Sequence, residues 1–420
     1  MENSLLTQST SGSLNSISKF LAWMLVLCAV NNIFIFTPNL PQMVYYAVMI
    51  GLNVLLVTTN IGKPISISVG MWTFWLVMWL SILFNYDTLP VIIQAEERTI
   101  AFCGVMFALG PWLLCKQLVE LRLYIWKVLN KCLFVMIMFS FLGRIGGFLP
   151  SDNNGYYLGC FAHSMILAPL AALVCLNCLH ESVHGDKLMQ KRIMGFCAVI
   201  ALAVLLFASS RTSLVAVMVA VFTYLTYQVS GKSNVVVKNI IFFGIVLCII
   251  SFIAGGMLDG IMDKQKDGFD MEQTLQSRED LWNARFTEIK KSPIFGIGSH
   301  SVSAEFIYAD GKIEPGNAWL FAFSSMGIFS FLALLGLVGN SFMLLRSDIK
   351  ERKRSDSVLL ISQVVFWAVY MNGEAHITAA GDFTYLYFWL VIGISLGIYR
   401  YLEPQSVNNE LAVPETEIAK

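Results

Sequence analysis

Long apolar runs separated by short polar stretches fill the chain from residue 17 to residue 402. Each run has roughly the 20 residues that an α-helix needs to cross a hydrocarbon core of ~30 Å. A lipid-exposed backbone must satisfy its own hydrogen bonds, so runs of this length predict helices. Twelve spans are predicted, at about 17–37, 43–60, 66–84, 98–115, 123–143, 158–179, 193–209, 212–229, 239–258, 317–345, 357–372 and 381–402.

The short loops between these runs carry an uneven distribution of lysine and arginine. Successive loops lie on alternate sides of the membrane. The side that includes the N-terminus holds most of the cations, and the short loops of the other side hold few. Cytoplasmic loops carry the excess of basic residues. The pattern predicts an inner-membrane protein with cytoplasmic tails at 1–16 and 403–420, spans one to nine within 17–258, and spans ten to twelve within 317–402.

One polar segment, residues 259–316, is much longer than the other loops and falls on the periplasmic side. Its stretch "SREDLWNARFTEIKKSP" has helical periodicity, with Ser277 as the predicted N-cap and Pro293 just beyond the end. Arg278 and Arg285 share the apolar face of this helix, seven residues apart. Two interpretations are open. Either the aliphatic parts of both side chains cover apolar surface while the guanidinium groups reach water, or both cations face a polar substrate.

A third arginine, Arg211, lies in the very short turn "SSRTS" between the seventh and eighth runs. An arginine at a membrane surface is often an anchor. Here the hydroxyls beside it and the N-terminus of the eighth helix add hydrogen-bond donors and a positive dipole end. Guanidinium binds phosphate oxygens bidentately, so this turn is a candidate phosphate site.

Composition narrows the classes of function. The chain is 56% hydrophobic and 13% charged, with a mean hydropathy of +0.67 and no net charge. The nine cysteines lie in or beside apolar runs, which favours neither a disulfide framework nor a thiolate metal site. No metal-ligand spacing, phosphate loop or basic-aromatic surface is present. We therefore expect membrane lipids as neighbours, and no metal, cofactor or nucleic acid.

Four further residues on the predicted outer side are candidates for a general base: His163, His300, Glu374 and His376. Each is alternatively a surface or capping residue, and His300 and Glu374 are favoured. Arg98 and Arg144 also face outward. They are candidates for holding lipid headgroups or glycan, although an ordinary interfacial loop explains them as well.

Four stretches, in order, resemble the O-antigen ligase and O-antigen polymerase superfamily. They are "GCFAHSMILA" (159–168), "SSRTSLVAV" (209–217), "REDLWNARFTEIKKSPIFGIG" (278–298) and "GNAWLFAFSSMGIFSFL" (316–332). The resemblance covers roughly residues 155–400. It implies a GT-C-like helical bundle that transfers glycan from a polyprenyl-pyrophosphate carrier, without a nucleotide sugar or a required metal.

The resemblance also implies roles for particular residues. Arg211 and Arg278, with Arg285 as a third, would stabilise the leaving pyrophosphate. Asn317, retained from the family's His-Asn pair, and His163 would bind substrate. Two positions depart from the family: Gly316 stands where the ligases have a loop histidine, and Met165 stands where an asparagine is usual.

Three functions follow as hypotheses. The first is a polymerase that joins undecaprenyl-pyrophosphate-linked repeat units of O-antigen or exopolysaccharide, working with a chain-length regulator and a flippase. The second is a ligase of the same superfamily that transfers glycan to lipid A-core or to protein. The third is a lipid-linked glycan flippase or transporter. The missing loop histidine favours the polymerase.

Overall fold

The computed structural model describes residues 14–151, 156–228, 271–307, 316–375 and 377–402, with the backbone alone for 271–278. Thirteen α-helices lie within these ranges: α1 Ser16–Asn31, α2 Gln42–Asn60, α3 Val69–Phe84, α4 Ala95–Met106, α5 Lys116–Gly146, α6 Ser164–His184, α7 Leu188–Phe207, α8 Arg211–Gln228, α9 Met271–Lys291, α10 Ala318–Met326, α11 Ile328–Arg352, α12 Ser355–Tyr370 and α13 Phe383–Tyr401. Two short strands, β1 Ser66–Ile67 and β2 Leu113–Leu114, pair in antiparallel orientation.

Six of these helices are long and apolar enough to cross a membrane: α2, α5, α6, α7, α11 and α13. The apolar helices α1, α3 and α12 are shorter, at 16 residues each. These helices support the predicted all-α membrane protein. The count of twelve spans stays a prediction, because span nine at 239–258 and both tails lie mostly or wholly outside the described residues.

The predicted fourth span, 98–115, is wrong in its extent. Helix α4 has only 12 residues, about 18 Å of rise, and the chain then turns into β2. The buried Arg122 explains the early end. Its guanidinium donates to the carbonyls of Ala108 at 2.8 Å and Gly110 at 2.7 Å. Carbonyls in this turn therefore find partners without a continued helix.

The predicted tenth span, 317–345, is two helices. The chain breaks at Gly327, where φ is +83°, a conformation that side chains other than glycine rarely adopt. A Cβ atom there would also overlap the carbonyl of Ile294. Packing by a distant segment, which periodicity does not reveal, thus divides an apolar run that is long enough to be one helix.

That distant segment is 293–298, "PIFGIG", and we call it the clamp. Its Ile297 N–H donates to the carbonyl of Ser324 at 3.0 Å, and the Gly298 N–H donates to that of Ser325 at 3.1 Å. The clamp therefore satisfies carbonyls at the end of α10, which have no partner within the helix. It fixes the polar loop to the helical bundle.

The predicted helix of the polar loop is confirmed in its C-terminal part. Helix α9 ends at Lys291, two residues before Pro293, but begins at Met271. The prediction of Ser277 as its N-cap is wrong, since "MEQTLQ" is rich in good helix formers and extends the helix upstream.

Several connections between helices lie beside the clamp at one end of the bundle. We call this end of the bundle the loop end. Helices α1, α3 and α12 end there, and α2, α4, α8 and α13 begin there. The Asn32 side chain donates to the carbonyl of Gly381 at 3.1 Å, and Asn85 donates to that of Gly296 at 3.2 Å. These bonds join the ends of α1 and α3 to elements far away in sequence.

Candidate active site at the loop end

Residues 371–375 and 377–382, the described part of the connection from α12 to α13, contact Asn317 and His300 and carry Glu374. The middle part of this connection is buried, including Ala375, Ile377 and Thr378. Gly373 lies against α8, Thr378 contacts His300, and Gly381 lies against α1 and α2. One connecting segment thus links polar groups from separate parts of the chain.

Asn317 joins this connection to the start of α10. Its Oδ1 accepts from the backbone N–H groups of Trp319 at 2.9 Å and Leu320 at 3.0 Å, so it is the N-cap of α10. Its Nδ2 donates to the carbonyl of Asn372 at 3.1 Å. Both polar atoms of the side chain are therefore engaged within the protein. This geometry supports a positioning role for Asn317.

Gly316, where the ligases carry a histidine, has a φ of +75°. A Cβ atom there would lie 3.2 Å from the side chain of Leu281 in α9. A histidine in this conformation would be strained. Gly316 therefore brings α9 next to Asn317. The contact in α9 is Leu281, which lies three residues after Arg278.

Arg211 is the first residue of α8, and its side chain is exposed. The hydroxyl of Ser210 accepts from the Ser213 N–H at 3.4 Å and caps the helix start. Thr212 packs against Gly373 so closely that a Cβ atom on this glycine would overlap its side chain. The N-terminus of α8, with its positive dipole end, therefore lies beside the turn that carries Glu374.

The backbone of Glu374 is fixed on both sides. Its N–H donates to the carbonyl of Tyr370 at 3.2 Å, and its carbonyl accepts from the Tyr385 hydroxyl at 2.9 Å. The side chain is partly exposed. The backbone that carries this carboxylate is therefore held in place beside the start of α8.

His300 is buried between two threonines. Its Nε2 lies 3.2 Å from the hydroxyl of Thr99 in α4, and its Nδ1 lies 3.3 Å from that of Thr378. Burial and the nearby Arg98 cation lower the pKa of His300 to about 3. The imidazole is therefore neutral at physiological pH, with both nitrogens in hydrogen bonds. This geometry favours a role in holding α4 against the 371–382 connection.

We expect His300 to make the folded protein sensitive to acid. Between pH 7 and pH 5 this histidine binds a proton in the unfolded chain, where its pKa is about 6.5, but not in the folded chain. The free energy of unfolding therefore falls as the pH falls. The slope approaches about 1.4 kcal/mol per pH unit at its steepest. Thermal midpoints in detergent at the two pH values measure it. His300→Gln should lose less stability than the wild type over this range, whereas His163→Gln should behave like the wild type. Equal losses in all three proteins would contradict the assignment.

Arg285 is fully buried in α9. Its Nη2 lies 2.9 Å from Glu288 Oε1, and its guanidinium lies 5.6 Å from the ring of Phe306. The same carboxylate oxygen accepts from the Ser303 N–H at 2.7 Å and its hydroxyl at 2.6 Å. Arg285 and Glu288 thus fix residues 303–306 onto α9. The sequence predicted that the charge of Arg285 reaches water or faces a substrate. In the structure this charge is paired with Glu288 inside the protein.

The other candidates lie around this region. Exposed His163 caps α6 and accepts from the Met165 N–H at 3.1 Å. Exposed Arg144 stacks over Tyr157 at 5.4 Å and over Phe207 at 5.7 Å, at the end of α7.

Two candidates, Arg278 and His376, lie partly or wholly outside the described residues. The backbone of Arg278 lies in α9, but its side chain is outside the described residues, as is the whole of His376. In the part of the chain that is described, no three His, Cys, Asp or Glu side chains are grouped to hold a metal ion.

The loop end therefore brings two groups of the predicted residues onto one connection. The Arg211 cluster consists of Arg211, Thr212, Gly373, Glu374 and Asn317. Thr212 was among the hydroxyls predicted beside Arg211, but sequence reasoning missed Gly373, for which the dipeptide Asn-Gly before Glu374 was the turn signal.

The second group, the His300 cluster, consists of His300, Thr99, Thr378 and Arg98. Its two threonines gave no signal in the sequence, because single hydroxyls beside apolar runs are common.

Comparison with known protein families gives one match, to the family described as O-antigen ligase, over residues 196–346. This segment is similar to that family over about a third of the chain. It supports the O-antigen ligase and polymerase superfamily for the chain, as the motifs predicted. Members of the family are glycosyltransferase-like enzymes. No curated protein sequence matches the chain.

The matched segment spans part of α7, all of α8, α9 and α10, the clamp, and most of α11. It therefore contains Arg211, Arg278, Arg285, His300 and Asn317. Glu374 and Arg98 lie outside the matched segment.

Proposed function

We propose that the protein is a polymerase of lipid-linked repeat units, which transfers a growing glycan from undecaprenyl pyrophosphate to a second lipid-linked unit. The observation that carries this proposal is the Arg211 cluster. It places a permanent cation, a helix N-terminus and a carboxylate on neighbouring elements, and Arg211 lies in the segment that matches a family of glycosyltransferase-like enzymes.

The chemistry assigns one role to the cation. Negative charge builds on the diphosphate as the bond from sugar carbon to phosphate oxygen breaks. A fixed guanidinium beside a helix N-terminus stabilises that charge more in the transition state than in the ground state. Arg211 has this role in our proposal, and Arg278, on the helix that packs against α10, is its proposed partner.

Glu374 has the second role. The acceptor hydroxyl forms the new bond to the sugar carbon and gives up its proton, for which a carboxylate is an adequate acceptor. Because Gly316 leaves no imidazole at the ligase position, and His300 is buried and doubly hydrogen-bonded, Glu374 is the best placed of the predicted bases in the described chain. The absence of the loop histidine favours a polymerase over a ligase.

One observation favours a flippase or transporter as a second candidate. Buried His180 in α6 lies 3.4 Å from buried Asp356 in α12, and 3.2 Å from the hydroxyl of Tyr224. Ionisable groups inside a membrane bundle often mark a transport path. However, the polar side chains of Asn130, Asn177, Gln363 and Tyr387 farther along the bundle bond to one another, as expected of helix-joining contacts.

Reconstitution of the full chain in liposomes with lipid-linked repeat units tests these functions. A polymerase produces a ladder of longer lipid-linked glycans. Transfer to lipid A-core, when this is supplied as acceptor, identifies a ligase. Movement of the lipid-linked unit across the bilayer without any longer product identifies a flippase and overturns the proposal.

A further inference from the structure

A second polar group surrounds Gly381 at the loop end, at the other end of the 371–382 connection from Gly373. It consists of Asn32, Tyr46, Arg98 and Gly381, all of them partly exposed. The amide of Asn32 donates to the Gly381 carbonyl at 3.1 Å, and a Cβ atom on Gly381 would lie 3.2 Å from the Tyr46 hydroxyl. Arg98 is close enough to Tyr46 and His300 to interact electrostatically with both.

A buried hydroxyl beside this group has no protein partner. Tyr45, only 3% exposed, lies next to Tyr46 and near Asp382, and its hydroxyl makes no hydrogen bond to any described residue. Burying a hydroxyl without a partner is costly, so such a group indicates a place where another molecule donates or accepts. This observation is independent of the exposed cation.

The His300 cluster holds this group in place. The contacts of His300 with Thr99 and Thr378 join α4, which carries Arg98, to the connection that carries Gly381 and Glu374. The backbone of Arg98 is therefore tied, through Thr99 and His300, to Thr378 in this connection. The two arginines are next to different contacts with the connection: Thr212, beside Arg211, lies against Gly373, and Thr99, beside Arg98, is linked through His300 to Thr378.

We propose that Arg98 and Tyr46 form a second substrate subsite, which binds an oxyanion of the acceptor glycan while the Arg211 cluster binds the donor diphosphate. The identification of the occupant as the acceptor rests on the proposed transferase function. A guanidinium pairs bidentately with carboxylate or phosphate, and a partly exposed tyrosine offers a ring face and a hydroxyl to a sugar. The oxyanion is either the carboxylate of an acidic sugar or the diphosphate of the acceptor lipid.

Direct binding to the purified full chain in detergent tests the subsite without relying on transfer. The two probes are a glucuronic acid disaccharide and inorganic pyrophosphate, titrated into the wild type and into Arg98→Gln, Tyr46→Phe, Arg211→Ala and Glu97→Gln proteins. Glu97→Gln is the matched control, because it removes an exposed charge one residue from Arg98. We expect Arg98→Gln to lose about tenfold or more in affinity for the disaccharide or for one of two pyrophosphate sites, with a smaller loss in Tyr46→Phe and little in Glu97→Gln. Arg211→Ala should keep its affinity for the disaccharide and lose only the pyrophosphate site that we assign to the Arg211 cluster.

The two probes identify the source of the oxyanion. Loss confined to the disaccharide assigns a sugar carboxylate, and loss confined to pyrophosphate assigns the lipid diphosphate. The subsite is overturned if neither probe binds the wild type or if Arg98→Gln binds both normally. It is also overturned if Arg211→Ala loses as much disaccharide affinity as Arg98→Gln, or if the two substitutions remove the same pyrophosphate site. A subsite that binds its probe in a protein that forms no glycan ladder would stand while the polymerase proposal fails.

Discussion

Arg211→Ala should reduce glycan elongation by about 100-fold or more, because removing a preorganised group from a developing oxyanion typically costs that much in rate. Arg211→Lys should recover only part of the activity, since lysine lacks the planar fork that binds two phosphate oxygens at once. The measurement is the rate at which the reconstituted protein converts lipid-linked repeat units into longer products. By the same reasoning, Arg278→Ala should also abolish long chains.

Arg192→Ala is the matched control for this experiment. Arg192 is an exposed cation near the start of α7, so it belongs to the same helical hairpin as Arg211 but lies at the opposite end. This variant should elongate glycan at the wild-type rate. An unchanged distribution of chain lengths in Arg211→Ala would remove Arg211 from the active site.

Gly327→Ala should destabilise the protein by about 2 kcal/mol or more, because an L-residue is strained at a φ of +83° and its Cβ would overlap the Ile294 carbonyl. The clash is with backbone, so no side-chain rotation relieves it. We expect the clamp to detach from the break between α10 and α11. The measurement is the thermal midpoint of the purified protein in detergent.

Gly336→Ala provides the matched control within α11. This glycine has open space around its Cβ position and lies in a regular part of the helix. The substitution should be neutral or stabilise by up to about 1 kcal/mol, because alanine loses less backbone entropy on folding. Equal midpoints for Gly327→Ala and Gly336→Ala would show that the clamp contributes nothing to stability.

The role of Asn317 illustrates how far sequence reasoning reached. The retained family asparagine marked an important position, and the spacing placed it at the start of an apolar run. The contact that defines its role, the bond from its amide to Asn372, joins residues 55 apart. No local pattern reports a partner so distant in sequence.

His300 and Arg285 make the same point through burial. Both are polar residues in a segment rich in charges, and periodicity placed Arg285 on the apolar face of α9. Only the packing of α4 and residues 303–306 reveals that both side chains are enclosed, His300 between two threonine hydroxyls and Arg285 beside the Glu288 carboxylate. The ionisation and access of a side chain depend on neighbours from elsewhere in the chain.

The sequence by itself determined that this chain is a helical membrane protein, where most of its apolar helices run, and which superfamily its motifs resemble. Those properties follow from hydrophobic runs and local spacing, which are encoded within about 20 neighbouring residues. The tertiary structure alone decided the break at Gly327, the early end of α4, and the gathering of Arg211, Asn317 and Glu374 around one connection. These features depend on backbone groups finding hydrogen-bond partners in distant segments, and the sequence contains no periodic signal for such pairings.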